Sequence, residues 1–316
     1  MSYLQVASWN IEHLGGANRE TRKQSAFALA EHIEMSGIDV IALQEIYVTL
    51  SEEDVHLTPG GLVVRSHART ERRNSDLDLV CYLLEEHLDG TEWEYYIAPN
   101  RDEGDTSQLC AVLWNNKRLE LDKVRKLNVS HHVEGDSLWD RAPHLFEFLS
   151  QIRVWRRNAR GEWQEGEETR RLALVPLHMK ANVDGETIAR RRREKEARTL
   201  CDALAEIGPE LEPSLVLIGD TNILSSTEPA IELFYNEGFI DLNNHDASTY
   251  GNYMSKGAPF DRAFVRRDRR EFKYSRQYVL HATDIGAHDK FLSDHYMIKI
   301  PIKDYVDDND SRRREL

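Results

Sequence analysis

Apolar residues fall into short continuous runs and longer amphipathic stretches that alternate along much of the chain. A run at 4–9 predicts a first strand, followed by a loop holding Gly15 and Gly16. From about Thr21, Ala26, Phe27, Ala30 and Ile33 share one face at helical spacing, and Gly37 is placed to end that helix. The run at 39–43 (DVIAL) reads as a buried strand. Residues 51–75 are polar and hold Pro59-Gly60-Gly61 and several arginines, the pattern of an inserted loop. Asp76 is placed to cap a helix carrying Leu77, Val80, Leu84 and Leu88. Strands are expected near 93–98 and 109–114, and a long hairpin from 145–155 and 171–177 about the Asn158–Gly161 turn. A helix over 187–207, a strand at 215–219, a helix at 228–237 and strands at 262–265, 278–280 and 296–302 complete the pattern. Paired strands amid alternating helices predict two packed mixed sheets with helices outside. One unit over 1–303 is expected, with a polar tail over 304–316.

Of the 316 residues, 40% are hydrophobic, enough for a substantial core. The formal net charge is −14, so a polyanion has to be met by a local basic patch or a bound cation. Cys81, Cys110 and Cys201 lie far apart beside apolar residues and read as buried, reduced thiols. The first nine residues lack a basic head with a long apolar stretch, and no apolar run reaches membrane length; a cytoplasmic protein is expected.

Polar signals sit almost all at the ends of these apolar runs: Asn10, Glu45, His178, Asp220 with Asn222, Asp261, and Ser293-Asp294-His295. They are the residue types that hold a hard divalent cation and a phosphate. Asp220 and Asn222, two apart in extended chain, share a face beyond the 215–219 strand. Such an aspartate can orient or deprotonate water, and an asparagine amide can donate to a phosphate oxygen; a plain Asx turn explains the same pair. A carboxylate at Glu45, beside Ile41-Ala42-Leu43, is costly unless paired or metal-bound. His178 and His295 each follow apolar runs, and Asp261 is a natural partner for His295.

In order, Ser8-Trp9-Asn10-Ile11, Leu43-Gln44-Glu45, Leu177-His178, Gly219-Asp220-Thr221-Asn222, Phe260-Asp261-Arg262 and Ser293-Asp294-His295 resemble the motifs of the endonuclease/exonuclease/phosphatase superfamily over positions 8 to 295. Arg141-Ala142-Pro143 resembles the family's arginine–proline segment. The resemblance implies an α/β (α+β) four-layered αββα sandwich with the site at one rim. It implies Mg²⁺, with Mn²⁺ as an alternative, at Glu45, with Asn10 and Asp294 close by. It implies Asp220 as the residue that positions or activates water, Asn222 and His178 on the scissile phosphate, and His295 paired with Asp261. Whether Asp220 or His295 takes the proton stays open within the family. One departure is Gln108, where a pancreatic-type nuclease has a glutamate supporting its first histidine; a neutral amide predicts less positive charge on His178.

The resemblance leaves the ester open. Arg190–Arg193, the set Arg65, Arg69, Arg72 and Arg73, and Arg266–Arg270 flank the expected catalytic strands, and Arg141, Arg190 and Arg191 are the candidate substrate contacts. This patterning favours a nuclease cutting DNA or RNA. The alternatives are a phosphatase or phosphodiesterase on a small or lipid-derived phosphate, and an inactive scaffold. Trp139, Tyr250 and Tyr253 are the aromatic candidates for base stacking, with core packing as the commoner role.

Overall fold

A computed structural model describes residues 3–16, 24–51, 55–57, 61–100, 108–158, 160–212, 214–251, 257–281 and 285–303. The strands of the two large sheets are β1 (Tyr3–Leu14), β2 (Val40–Ile46), β3 (Trp93–Ile97), β4 (Leu109–Asn115), β5 (Glu120–Lys126), β6 (His144–Arg157), β7 (Trp163–His178), β8 (Leu215–Asp220), β9 (Phe239–Asp241), β10 (Asp261–Arg266), β11 (Tyr278–Val279) and β12 (Ile298–Lys303). The helices are α1 (Ala26–Ser36), α2 (Ser75–His87), α3 (Glu186–Ile207), α4 (Pro229–Asn236) and α5 (Ile285–Phe291).

One sheet has the order β11-β12-β1-β2-β4-β3, the other β9-β10-β8-β7-β6-β5. Each is mixed: β1 and β2 run parallel, as do β7 and β8, and the remaining neighbours are antiparallel. Side chains alternate between the two faces of a strand. Leu4, Val6, Val40, Ala42, Phe146, Phe148, Leu172, Leu174, Val216, Ile218, Ala263, Val265, Ile298 and Ile300 therefore form one layer between the sheets. The intervening positions face outward. Ala7, Trp9, Ile41 and Leu43 pack with Leu29, Ile33, Leu77 and Val80 of α1 and α2. Ala173, Val175, Leu215 and Leu217 pack with Ala197, Leu200, Leu204 and Phe234 of α3 and α4. The four-layered sandwich follows from strands that are apolar on both faces.

Local chemistry shifts several expected boundaries. The helix expected from Thr21, a position outside the described residues, begins at Ala26 behind the Ser25 cap and ends at Gly37, whose φ is +58°. Asn74, not Asp76, caps α2, because its carboxamide oxygen accepts from the N–H groups of both Asp76 and Leu77. The region read as a loop over 51–75 holds two small ladders, pairing Leu50–Ser51 with Arg72–Arg73 and Val55–Leu57 with Val63–Arg65. The edge strand β5 escaped prediction because its ELDKVRK sequence is charged and half exposed. No described helix is long and apolar enough to cross a membrane. The 304–316 segment and Tyr253 lie outside the described residues.

Ile218 is fully buried in the inter-sheet layer. Ile218→Ala should cost about 2–5 kcal/mol, read as a lower denaturant midpoint at unchanged m-value. A loss below about 0.5 kcal/mol would contradict the packing described for this layer.

Candidate active site

The inward alternation changes character at one rim. In β1 the inward series Leu4, Val6, Ser8 ends in Asn10; in β7, Leu172 and Leu174 lead to His178; in β8, Val216 and Ile218 lead to Asp220; and β10 starts with inward Asp261. His178 is registered against Asp220, and Asp220 against Asp261. Gly219 allows this closeness: a Cβ there would lie 2.0 Å from the Leu177 carbonyl oxygen. Glu45 has the outward parity of Ile41 and Leu43. A register shift between Leu43 and Ile46 and a φ of +63° at Glu45 break the alternation and bring its carboxylate to the rim. Glu12 and His13, with φ of +52° and +60°, do the same in β1, and Asn222 has φ +54°. Such backbone is uncommon for residues with a side chain and gathers at functional sites.

Two hydrogen bonds cross between the sheets here. Asn10 Nδ2 donates to Asp220 Oδ2 at 3.0 Å and, within its own sheet, to Glu45 Oε1 at 3.1 Å. His295 Nδ1 lies 2.8 Å from Asp261 Oδ2. The run-in to β12 is tied to β1 by Ser293 Oγ donating to the Asn10 carbonyl at 2.6 Å and Trp9 Nε1 donating to the His295 carbonyl at 2.9 Å. His178 Nε2 faces Glu45 Oε1 at 4.0 Å and Asp220 Oδ2 at 3.8 Å, while His295 Nε2 faces Asp220 Oδ2 at 3.9 Å. The Asn222 N–H donates to Asp220 Oδ1 at 3.0 Å, and its amide donates to the Met179 carbonyl at 3.1 Å.

Burial sets the titration of these groups. It raises the Asp220 carboxyl, with the neighbouring Asp261 charge adding to it and His295 opposing it. It lowers His178 well below the ordinary histidine range, with Arg141 and His295 reinforcing the effect. Burial would lower His295 too, but the hydrogen-bonded Asp261 carboxylate, with Asp220 and Asp294, outweighs it and holds this imidazole up at about 10. One histidine is thus kept neutral and the other charged, about 4 Å on either side of the same carboxylate.

A cavity of about 730 Å³ opens on this rim. Glu45, Arg141, His178, Asp220, Asn222, Asp294 and His295 line it. Asn10 and Asp261 stand behind, each bonded to a lining group. The Asn10 amide nitrogen spans two carboxylates and its oxygen accepts from the Glu12 N–H at 3.1 Å, so it orients Glu45 and Asp220. Among the described residues no three histidine, cysteine or acidic side chains converge tightly enough to enclose a metal. Magnesium keeps several waters and needs only one or two carboxylates, so Glu45, whose side chain is 15% exposed, with Asp294 on the same cavity, fits that ion.

The expected basic contacts divide. Arg141 lines the cavity. Arg190 and Arg191 do not: Arg190 pairs with Glu186 and lies 3.7 Å from Glu228, and Arg191 forks onto Asp136 at 3.0 and 3.2 Å. These two stand on the surface of α3, engaged with acidic side chains, rather than on the cavity wall. Arg65, Arg69, Arg72 and Arg73 are likewise absent from the lining, and Arg69 pairs with Glu94 at 2.8 Å. Arg266 begins the third basic segment at the far end of β10, about 17 Å of strand from Asp261. There Arg266 and Arg267 cover the rings of Phe239 and Tyr235. Gln108 also differs from expectation. It accepts from Arg141 and donates to His13 Nδ1 at 3.1 Å, and His178 Nδ1 has no hydrogen-bond partner among the described residues. His178 is neutral as expected, but because of burial and Arg141 rather than Gln108.

Glu12, His13, Lys180, Asn182 and Phe260 also line the cavity and escaped sequence reading. Their only signal was adjacency to Asn10, His178 and Asp261. Tyr250, read as a stacking candidate, packs on His295 with ring centroids 4.8 Å apart, whereas Trp139 is core.

The profile of the Endonuclease/Exonuclease/phosphatase family matches residues 7–295. The chain belongs to that family. Among solved structures, an endonuclease/exonuclease/phosphatase family protein from Bacteroides thetaiotaomicron superposes with a TM-score of 0.58 at 15% identity, covering 95% of each chain. A mannosyl-6-phosphatase of the same bacterium gives 0.57 at 15% identity, over 94% of this chain and 98% of its own. The human Nocturnin catalytic domain with bound sulfate gives 0.54 at 15% identity, over 95% and 92%. At such identities the likeness establishes the shared fold. No curated protein matches the sequence significantly.

The wall beside His178 is held by Glu196 of α3, which accepts from the N–H groups of Trp139 at 2.8 Å and Lys180 at 2.9 Å. Burial raises its carboxyl from 4.5 to about 7, against those two donors, which favour the ionised form. An acid with a raised folded pKa contributes stability that is complete below its unfolded pKa and is lost as pH rises through the folded one. The Glu196 contribution should therefore fade between pH 4.5 and about 7, by at most about 3 kcal/mol. Glu196→Gln should flatten the pH dependence of unfolding free energy across that window; an unaltered slope would remove Glu196 as its source.

Proposed function

We propose that this protein is a divalent-metal-dependent phosphoesterase that cleaves a compact phosphate ester by in-line attack of water. The reading rests on one observation: Glu45, His178, Asp220, Asn222 and the Asp261–His295 pair converge on a single cavity. When bound at Glu45, with the Asp294 carboxylate close by, Mg²⁺ or Mn²⁺ supplies Lewis-acid charge to a phosphate oxygen.

The protein groups divide the remaining work. Asn10 holds Asp220 toward the cleft, and Asp220 accepts the proton of the attacking water. His295, kept protonated by Asp261, sets a positive charge against the phosphate and is a poor base at neutral pH. His178, neutral, and the Asn222 amide donate to non-bridging oxygens. Arg141 and Lys180 supply cationic charge at the cavity wall.

A compact substrate, such as a sugar phosphate, a nucleotide or the end of a strand, is favoured over a long nucleic-acid backbone. The cavity of about 730 Å³ has the size of a small-ligand site. Arg190, Arg191 and the Arg266–Arg270 segment, the basis of the polyanion expectation, pair with acidic groups or lie far along β10. The net charge of −14 works the same way.

The test is turnover with Mg²⁺ or EDTA against bis(4-nitrophenyl) phosphate, sugar phosphates, nucleotides, single-stranded oligonucleotides, RNA and plasmid DNA at several salt concentrations. Metal-dependent cleavage of a compact ester with weak salt dependence is expected. Asp220→Asn should lower kcat by about 10² to 10⁴, and Glu45→Gln should raise the Mg²⁺ needed for half-maximal rate by about tenfold or more. Steeply salt-dependent cleavage of polymers alone would move the substrate to nucleic acid. Full activity in EDTA, or an Asp220→Asn protein with undiminished kcat, would defeat the proposal.

A further inference from the structure

Arg193 belongs to the basic run of α3, yet it is fully buried. Its guanidinium forks onto the equally buried Glu228, with Nη2 donating at 2.9 and 3.0 Å and Nε at 3.1 Å. Burying a charged pair is costly, and side chains of matching volume often replace it without loss of stability. The remaining bonds indicate what the pair does. Arg193 Nη1 donates to the Lys180 carbonyl at 3.1 Å and to Asn182 Oδ1 at 2.9 Å, both in the segment that follows His178. Asn182 Nδ2 donates in turn to the Asn222 carbonyl at 3.1 Å, in the segment that follows Asp220. Glu228 Oε1 accepts from the Leu224 N–H at 2.8 Å in that same segment. Glu196, one turn along α3, holds the N–H of Lys180 while Arg193 holds its carbonyl.

We propose that Arg193 and Glu228 are positioning residues: their fork locks the segments after His178 and Asp220 into one unit, so that Asn182 and Asn222 meet the phosphate together. This rests on the phosphoesterase reading above. Asn222 carries a φ of +54°, a conformation its own chain does not favour, and the Asn182 bond to its carbonyl holds that peptide in place. A planar fork is required. A lysine ammonium at this position retains the charge toward Glu228 but cannot span Glu228, the Lys180 carbonyl and Asn182 at once.

The experiment compares wild type, Arg193→Lys and the paired replacement Arg193→Met with Glu228→Leu. Three readouts are taken: thermal midpoint, kcat and KM for bis(4-nitrophenyl) phosphate with Mg²⁺, and the side-chain amide NMR resonances of Asn182 and Asn222. The paired variant should keep its midpoint within a few degrees while kcat falls about 100-fold, KM changes less, and both amide resonances move. Arg193→Lys should show the same split in folded protein, and millimolar guanidinium should restore part of the rate to an Arg193→Ala protein. Wild-type kcat with unmoved amide resonances in Arg193→Lys would overturn the proposal, even if the paired variant fails to fold. If wild type hydrolyses no ester, the phosphoesterase reading falls, while the amide resonances still decide whether Arg193 sets the geometry of Asn182 and Asn222.

Discussion

The amide of Asn10 joins the two sheets chemically. It stands at the end of an inward series that is apolar up to Val6, where the cost of an unpaired polar atom begins to rise. Its nitrogen satisfies Glu45 in its own sheet and Asp220 in the facing one. The bond between His295 and Asp261 makes a second crossing alongside. Asn10 with Asp220 and His295 with Asp261 are paired across the interface, and that pairing fixes the spacing of the rim. The outward faces, committed to α1 and α2 on one side and α3 and α4 on the other, leave the strands little freedom to slide. Gly219 adds a steric condition, because only a residue without a Cβ lets β8 lie so close to Leu177.

The same burial acts differently on neighbouring groups. Asp220 and His178 have no fully buried opposite charge hydrogen-bonded to them, so desolvation pushes each toward its neutral form. His295 has Asp261 at 2.8 Å, and that one contact reverses the outcome. Three groups of ordinary solution chemistry thus take up different charge states within one small volume: a carboxyl raised toward its neutral form, a neutral imidazole and a charged one. Their roles come from partners rather than residue type.

Charge on this protein is used mainly for its own structure. Arg193, Arg262 and Arg266 serve, respectively, a buried fork to Glu228, a pair of contacts to Asp241 and Asp246, and a cover over Phe239. Within the run Arg190–Arg193, three arginines serve ion pairs on or near the helix surface and one is core. Counting basic residues along the chain therefore overstates the cationic surface, which among the described residues of the cleft rests on Arg141, Lys180 and His295.

The two-sheet architecture was legible because strand alternation needs only local sequence: a strand apolar on both faces has to be covered on both. Asn10, His178, Asp220 and Asp261 were legible for the same reason, each being a polar residue where an apolar series stops. Glu45 was found by its neighbours and not by its parity, which the backbone overturns at φ +63°. Lys180 and Asn182 carried no pattern, since residues between strands enter a site through the path of the backbone, and His13 enters it where β1 departs from extended geometry at φ +60°. Gln108 was assigned to His178 by sequence order, whereas the fold gives it to His13 and Arg141. By itself the sequence determined which positions are apolar, where that character ends and which chemical groups stand at the ends, because these depend on periods of two and 3.6 residues. Only the tertiary structure decided which of those groups meet, which arginines are spent on internal partners and which histidine carries a charge, because contact and desolvation depend on distances between residues hundreds of positions apart, such as the 2.9 Å from Trp9 to the His295 carbonyl.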